Sequence, residues 1–130
     1  RLRDESDANK RVTRWQRIAM EAAKQSGRAV VPTVASVISF TSLIETLTNN
    51  RLMFSERDGQ SLMQAKQDLA IDANQITALV GSEGGWSDEE IAAARAAGWK
   101  IVTLGGRTLR AETAAIALTA LMQHLFGDLL

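Results

Sequence analysis

The 130 residues carry a formal net charge of zero, with 45% hydrophobic and 23% charged side chains and no cysteine. That balance suits one folded domain with a real core, and excludes disulfides, a thiolate metal site and a cysteine nucleophile. It fits a reducing, cytoplasmic setting. No signal peptide is expected, and no membrane span, because Thr119, Gln123 and His124 interrupt the longest apolar stretch.

In chain order, Val12, Trp15, Ile18, Ala19, Ala22 and Ala23 recur at helical spacing and predict a helix from about Ala8 to Ser26, stopped by Gly27. Residues 1–28 hold eight basic side chains (Arg1, Arg3, Lys10, Arg11, Arg14, Arg17, Lys24, Arg28) against four acidic ones (Asp4, Glu5, Asp7, Glu21), a local excess of about +4. Lys10, Arg14, Arg17, Lys24 and Arg28 share one helix face, either a solvated face or an electrostatic footprint. After Pro32, "TVASVISF" reads as a short strand leading into a helix over "TSLIETL". "RLMFS" at 51–55 is a candidate strand, followed by a polar loop around Asp58-Gly59. "QITALVG" at 75–81 is a short apolar run ending on glycine, the pattern of a buried parallel strand. Ser87 with Glu90 makes a capping box that opens a helix stopped at Gly98. "KIVTLG" at 100–105 is the next strand, and "GGRTLRAE" leads to a final helix from about Glu112 to Phe126. That helix is apolar almost all round, so burial is expected on every side, against the sheet and against another subunit.

Strand, loop, helix, twice over, predicts an α/β fold with a mostly parallel sheet flanked by helices. Ligands of such sheets sit beyond the carboxyl ends of the strands, where both glycine loops fall. "LVGSEGGWS" at 79–87 lacks the dinucleotide fingerprint and the phosphate-loop lysine, and Glu83 would repel a phosphate. A carboxylate in a glycine turn suits a ligand with ribose hydroxyls, an amine or a sulfonium, and S-adenosylmethionine offers all three. Otherwise the loop is a plain turn with Glu83 in solvent. In the second loop, Gly105 and Gly106 admit close approach of a ligand. Arg107 and Arg110 bring two cations to the same edge, and Glu112 is placed to pair with either.

Other chemistries fit poorly. The lone His124 reads as a packing residue within the final helix. No histidine–carboxylate cluster suggests zinc, no calcium loop is present, and Ser82 and Ser87 have no nearby histidine for a triad. Trp15, Trp86 and Trp99 are too scattered for a base-stacking platform, although Trp86 is placed to wall a pocket.

"LVGSEGGWSDEEI" followed by "LGGRTLRAETAA" resembles the paired C-terminal motifs of the 16S ribosomal RNA uracil-N3 methyltransferase family, within the SPOUT superfamily of knotted enzymes. "RWQRIAMEAAKQSGRAVVP" at 14–32 resembles that family's helix, so the likeness runs over roughly residues 10–127. The family usually has proline where this chain has Ser82. The Gly-Ser-Glu-Gly version resembles sibling enzymes that methylate ribose 2′-hydroxyls, but those carry a Ser-Leu-Asn motif where this chain has Leu109-Arg110-Ala111-Glu112-Thr113. The uridine-N3 reading is therefore preferred.

The resemblance implies a trefoil knot near the C-terminus, a homodimer, and S-adenosylmethionine-dependent methylation of 16S ribosomal RNA or the small ribosomal subunit. It also implies that residues 1–130 are a partial methyltransferase domain, without the family's N-terminal RNA-binding β-barrel and the first strand and helix of the knotted domain. Cofactor contacts are expected at Phe54, Val80, Gly81, Ser82, Gly84, Gly85, Leu104, Gly105, Leu109 and Thr113, with "LMFSE" at 52–56 as a third wall. Arg110 is expected to stabilise negative charge on the uracil, while the general base is left open between Glu83, Glu112 and water. Arg14, Arg17, Arg28 and Arg107 are the expected RNA contacts, and no metal is expected. A non-catalytic RNA-binding or dimerisation module of the same fold is the alternative from another class. A nucleotide-binding fragment such as a dehydrogenase piece is weakened by the missing fingerprint.

Overall fold

The computed structural model describes residues 4–46, 50–69, 75–104, 109–127 and 129. The chain divides into two compact units, Arg1–Leu43 and Ile44–Leu130.

In the first unit, helix α1 spans Glu5–Ser26. Asp4 caps it by accepting a hydrogen bond from the Asp7 amide at 2.8 Å. Gly27 ends it in the left-handed region at φ 73°, where only glycine is unstrained. On the expected apolar face Ala23 is buried and Val12 and Ala19 half-buried, whereas Trp15 and Ile18 are exposed. Lys10, Arg14, Arg17, Lys24 and Arg28 are all exposed.

The strand expected at "TVASVISF" does not form. Residues 31–39 belong to no sheet, and the chain enters a five-residue helix, α2, at Phe40–Ile44. The Gln16 amide holds part of this segment instead. Its Nε2 donates to the Pro32 carbonyl at 2.9 Å, and its Oε1 accepts from the Val34 amide at 2.7 Å. β-Branched residues favour extended backbone, but here a side chain supplies the partner that a neighbouring strand would have offered.

The second unit is built on three parallel strands, β1 (Arg51–Phe54), β2 (Thr77–Val80) and β3 (Lys100–Val102), in the order β2-β1-β3. Phe54 pairs with Val80 on one side and Val102 on the other, so the three strands end level. Alternation sends Leu52, Phe54 and Val102 to one face. There they form a core with Ala65, Leu69 and Leu118. Ala65 comes from helix α3 (Leu62–Asp68) and Leu118 from helix α5 (Ala111–Phe126). The buried Met53 and Ile101 take the opposite direction in the alternation. Helix α4 (Asp88–Ala96) contacts β3 and buries Ile91 and Ala94. Trp99 is buried too, its indole donating to the Ile44 carbonyl at 2.9 Å and carrying Arg51 over its ring.

The Ser87–Glu90 capping box is present in full: the Glu90 amide donates to Ser87 Oγ at 3.1 Å and the Ser87 amide to Glu90 Oε1 at 2.9 Å. Helix α3, absent from the sequence reading, is capped by the Ser61 hydroxyl, which accepts from the Gln64 amide.

One face of α5 meets the sheet, where Leu118 is buried, while Ile116 is 74% exposed and Leu121 is exposed on the face for which a second subunit is expected. A single sheet can cover only one stripe of a helix. His124 is no packing residue. It lies on the exposed side, with Nδ1 3.0 Å from the Leu129 carbonyl.

Candidate functional site

Because the three strands run parallel and end level, everything that follows them gathers at one edge. Beyond β1 come Ser55 and Glu56. Beyond β2 come Gly81, Ser82, Glu83, Gly85 and Trp86, and beyond β3 come Thr103 and Leu104. Together with Leu109–Glu112 and the first turns of α5, these residues line a cleft of about 720 Å³.

Each wall is tied down by hydrogen bonds. The Ser55 amide donates to the Val102 carbonyl at 2.9 Å, carrying β1 past its last paired residue. The Gly59 amide donates to Thr103 Oγ1 at 3.0 Å, while the Gln60 amide donates to the Ile101 carbonyl and the Thr103 amide to the Gln60 carbonyl. This lays the 58–60 loop along the end of β3. A Cβ at Gly59 would lie 2.6 Å from the Thr103 nitrogen, so the approach requires glycine. Arg57 pairs with Asp88 on α4 and with Asp58, and the Asp88 hydrogen bond pushes its pKa upward, so the guanidinium stays charged at any working pH. Arg95 Nη2 donates to the Asp58 carbonyl at 2.9 Å.

The glycine turn is equally defined. The Gly85 amide donates to the Ser82 carbonyl at 2.9 Å, and Gly85 adopts φ 70°. Glu83 therefore stands at the bend of a hydrogen-bonded turn, on the cleft wall and exposed. Trp86 closes the turn, its Nε1 donating to the Phe54 carbonyl at 2.9 Å. On the far wall, Arg110 is the first residue of the α5 cap. Its carbonyl accepts from the Ala114 amide at 2.7 Å, while its side chain makes no capping bond.

Of the expected cofactor contacts, Phe54, Val80, Gly81, Ser82, Gly85, Leu104 and Leu109 line this cleft, as do Glu83 and Arg110. Gly84 and Thr113 do not line it. Gly84 has open space around it, and Thr113 is exposed on α5, off the line of Ala111, Ala114 and Leu118 that faces the cleft. Gly105 and Arg107 lie outside the described residues. Arg14, Arg17 and Arg28 belong to the first unit. Arg110 and Glu112 form no ion pair among the described residues.

Val102, Thr103, Ala111, Ala114 and Leu118 also line the cleft, beyond the expected residues. The last three were findable, since they follow Arg110 at helical spacing on one face of α5. The lining described here holds three carboxylates, Glu56, Glu83 and Glu112, against the single guanidinium of Arg110. Such a cleft favours a cationic or donor-rich ligand over a phosphate. Among the described residues, no group of three or more His, Asp or Glu side chains is placed to hold a metal ion, and no helix is long and apolar enough to cross a membrane.

This arrangement has close counterparts. The chain superposes with a TM-score of 0.84 on the ribosomal RNA small subunit methyltransferase E of Neisseria gonorrhoeae, solved bound to S-adenosylmethionine, at 39% identity over 95% of this chain and 51% of that one. A Legionella pneumophila protein solved in complex with the same cofactor gives a TM-score of 0.82 at 26% identity, covering 93% of this chain and 49% of that one. The small subunit methyltransferase E of Mesomycoplasma hyopneumoniae is 35% identical over 114 residues, 86% of this chain and 48% of that protein. The Synechocystis protein of the same name is 38% identical over 107 residues, 80% of this chain and 35% of its own length. The chain thus spans about half the length of these relatives, or less. The family model described as "RNA methyltransferase domain" matches residues 2–123, taking in both cleft-forming loops and the basic helix. The parallel sheet, the cleft at its carboxyl edge and this match agree, and the chain belongs to the RNA methyltransferase domain family.

Proposed function

We propose that this chain serves S-adenosylmethionine-dependent methylation of uridine N3 in small-subunit (16S) ribosomal RNA. The observation that carries the reading is the cleft itself, walled by the 81–86 turn, Thr103-Leu104 and Leu109–Glu112 at the level ends of three parallel strands. Its residues fit the cofactor. Gly81 opens backbone to a ligand's polar edge, three carboxylates suit an amine and a sulfonium, and the volume suits a nucleoside with an amino-acid tail. Backbone groups at Val80, Gly81, Leu104 and Leu109 would hold the adenine and ribose, with Phe54 beneath them. Glu83 would face the ribose or the cationic end.

When bound, S-adenosylmethionine supplies an electrophilic methyl group on its sulfonium. The chain's own task is to hold uridine N3 in line with that methyl and to make it nucleophilic. N3 carries a proton, and the neutral imide is a poor nucleophile. Arg110, its guanidinium free of any capping bond, would stabilise the negative charge that develops on the uracil oxygens. Glu83 or Glu112 would take or orient the departing proton. Without a cysteine in the sequence, methylation at pyrimidine C5 through a thiol adduct is closed to this chain.

Several further parts belong to this reading. Residues 1–130 are taken as part of the methyltransferase domain, without the family's RNA-binding β-barrel. The trefoil knot is kept, and a crystal structure tracing an unthreaded α5 would overturn it. The enzyme works in the cytoplasm, on its ribosomal substrate. Ile116 and Leu121 on the open face of α5 support a homodimer, which a monomeric mass by light scattering would contradict. The exposed Arg14, Arg17 and Arg28 follow RNA phosphates. Affinity for 16S RNA should then fall steeply between low and moderate salt, and Arg14→Ala/Arg17→Ala should flatten that slope by about 2 in the log–log plot. An unchanged slope would return these residues to plain surface.

The direct test is transfer of labelled methyl from S-adenosylmethionine to 16S ribosomal RNA, followed by nucleoside mass spectrometry. Label in N3-methyluridine is expected. Label in 2′-O-methyl nucleosides would favour the sibling chemistry that Ser82 brings to mind, and RNA binding without transfer would favour a non-catalytic module.

A further inference from the structure

Trp86 connects the ends of two strands beside the cleft. Its indole Nε1 donates to the Phe54 carbonyl, the last residue of the central strand, 32 positions earlier in the chain. The same pyrrole edge lies over Gly81, where a Cβ would sit 3.2 Å from both Cε2 and Nε1. Phe54 and Val80 are register partners at the level ends of β1 and β2, and Gly81 follows Val80 directly. The ring therefore bridges the two strand ends from above. Behind it, Ser87 opens the capping box of α4, so the chain is fixed immediately after the bridge. Ahead of it, the Ser82–Gly85 hydrogen bond closes the turn at whose bend Glu83 stands.

We infer that Trp86 is a positioning residue for the cofactor cleft: its indole holds the 81–85 turn against the end of β1, fixing the Gly81 backbone and the Glu83 carboxylate at the distance the ligand requires. Gly81 lacks a side chain as much for the indole as for the ligand. The inference rests on the S-adenosylmethionine reading above and adds a residue to it. What sets Trp86 apart is where its N–H goes: to the carbonyl of Phe54, which like Trp86 itself lines the cleft. Trp99 shows the contrast: its indole also bonds a carbonyl, but the ring is buried at the amino end of β3 and does not line the cleft.

The experiment is calorimetric titration with S-adenosylmethionine of the wild-type chain, Trp86→Phe, Gly81→Ala and the double variant, with thermal midpoints measured alongside. Phenylalanine keeps an aromatic ring and removes the donor. Alanine at 81 keeps the ring but asks it to give by a few tenths of an ångström, which lengthens its hydrogen bond to the Phe54 carbonyl. Each single change is expected to weaken binding about five- to tenfold, the worth of one net hydrogen bond and its geometry. The double variant is expected to lose no more than about twofold beyond either, because both changes act on the same contact. Tryptophan emission should respond to S-adenosylmethionine in the wild type and not in Trp86→Phe, which reports the ring beside the bound ligand. Wild-type affinity in Trp86→Phe, or full additivity of the two losses, would overturn the inference while leaving the cofactor reading in place. A wild-type chain that does not bind S-adenosylmethionine would overturn both.

Discussion

Arg110→Ala is expected to lower the rate of methyl transfer by about 10²–10³-fold, the usual loss when one preorganised donor to a developing oxyanion is removed. That corresponds to about 3–4 kcal/mol of transition-state stabilisation. The variant is a clean probe because the backbone of residue 110, and not its side chain, starts helix α5. The Ala114–Arg110 hydrogen bond survives the change, so the cleft wall should keep its shape. S-adenosylmethionine affinity should stay within about twofold, since uniform binding is not what the guanidinium supplies. Single-turnover transfer to RNA measures the rate, and Arg110→Lys should recover part of it, because a point charge replaces a planar fork. A variant that lost only RNA affinity would make Arg110 a phosphate contact instead.

Leu52→Ala is expected to cost about 3 kcal/mol of stability, within the range for deleting a buried leucine side chain. Leu52 is fully buried in the central strand, between β2 and β3, and packs into the cluster formed by Phe54, Ala65, Leu69, Val102 and Leu118. Because α3 and α5 meet the sheet there, little can move in to fill the cavity. Against a typical total of about 5–15 kcal/mol, such a loss is a large fraction. Urea unfolding should show a lower midpoint with an unchanged slope. A loss under about 1 kcal/mol would mean that the core repacks, and that the sheet is less rigid than its burial implies.

The parts of the fold that the sequence made legible were those with local signals. The parallel strands announce themselves as short apolar runs, and two of them end on or near glycine. Helix α4 follows from Ser87 and Glu90, whose reciprocal hydrogen bonds lie within four residues. Helix α3 escaped notice because seven residues make barely two turns, and only Leu62, Ala65 and Leu69 mark its inner face. The β-branched content after Pro32 predicts a strand, but the backbone there is bound by Gln16, 16 and 18 positions upstream. No periodicity encodes such a bond.

The site divides in the same way. Gly81, Glu83, Leu109 and Arg110 stand in motifs, so their positions on the cleft wall could be expected. The Arg57–Asp88 pair, 31 positions apart, and the Trp86–Phe54 bond could not, because each exists only once the parallel order brings distant loops to one edge. The apolar surface of α5 shows the reverse limit. Composition shows that Ile116 and Leu121 are apolar; which face of the helix this chain itself covers appears only in the structure.

The central claim is that the cleft at the sheet's carboxyl edge is a cofactor site for S-adenosylmethionine. Calorimetric titration of the chain with S-adenosylmethionine, with ATP and NAD as controls, tests it most directly. One molecule of S-adenosylmethionine per chain, bound with neither control competing, is the predicted result. Preferential binding of ATP or NAD, or no binding of S-adenosylmethionine at all, would contradict it.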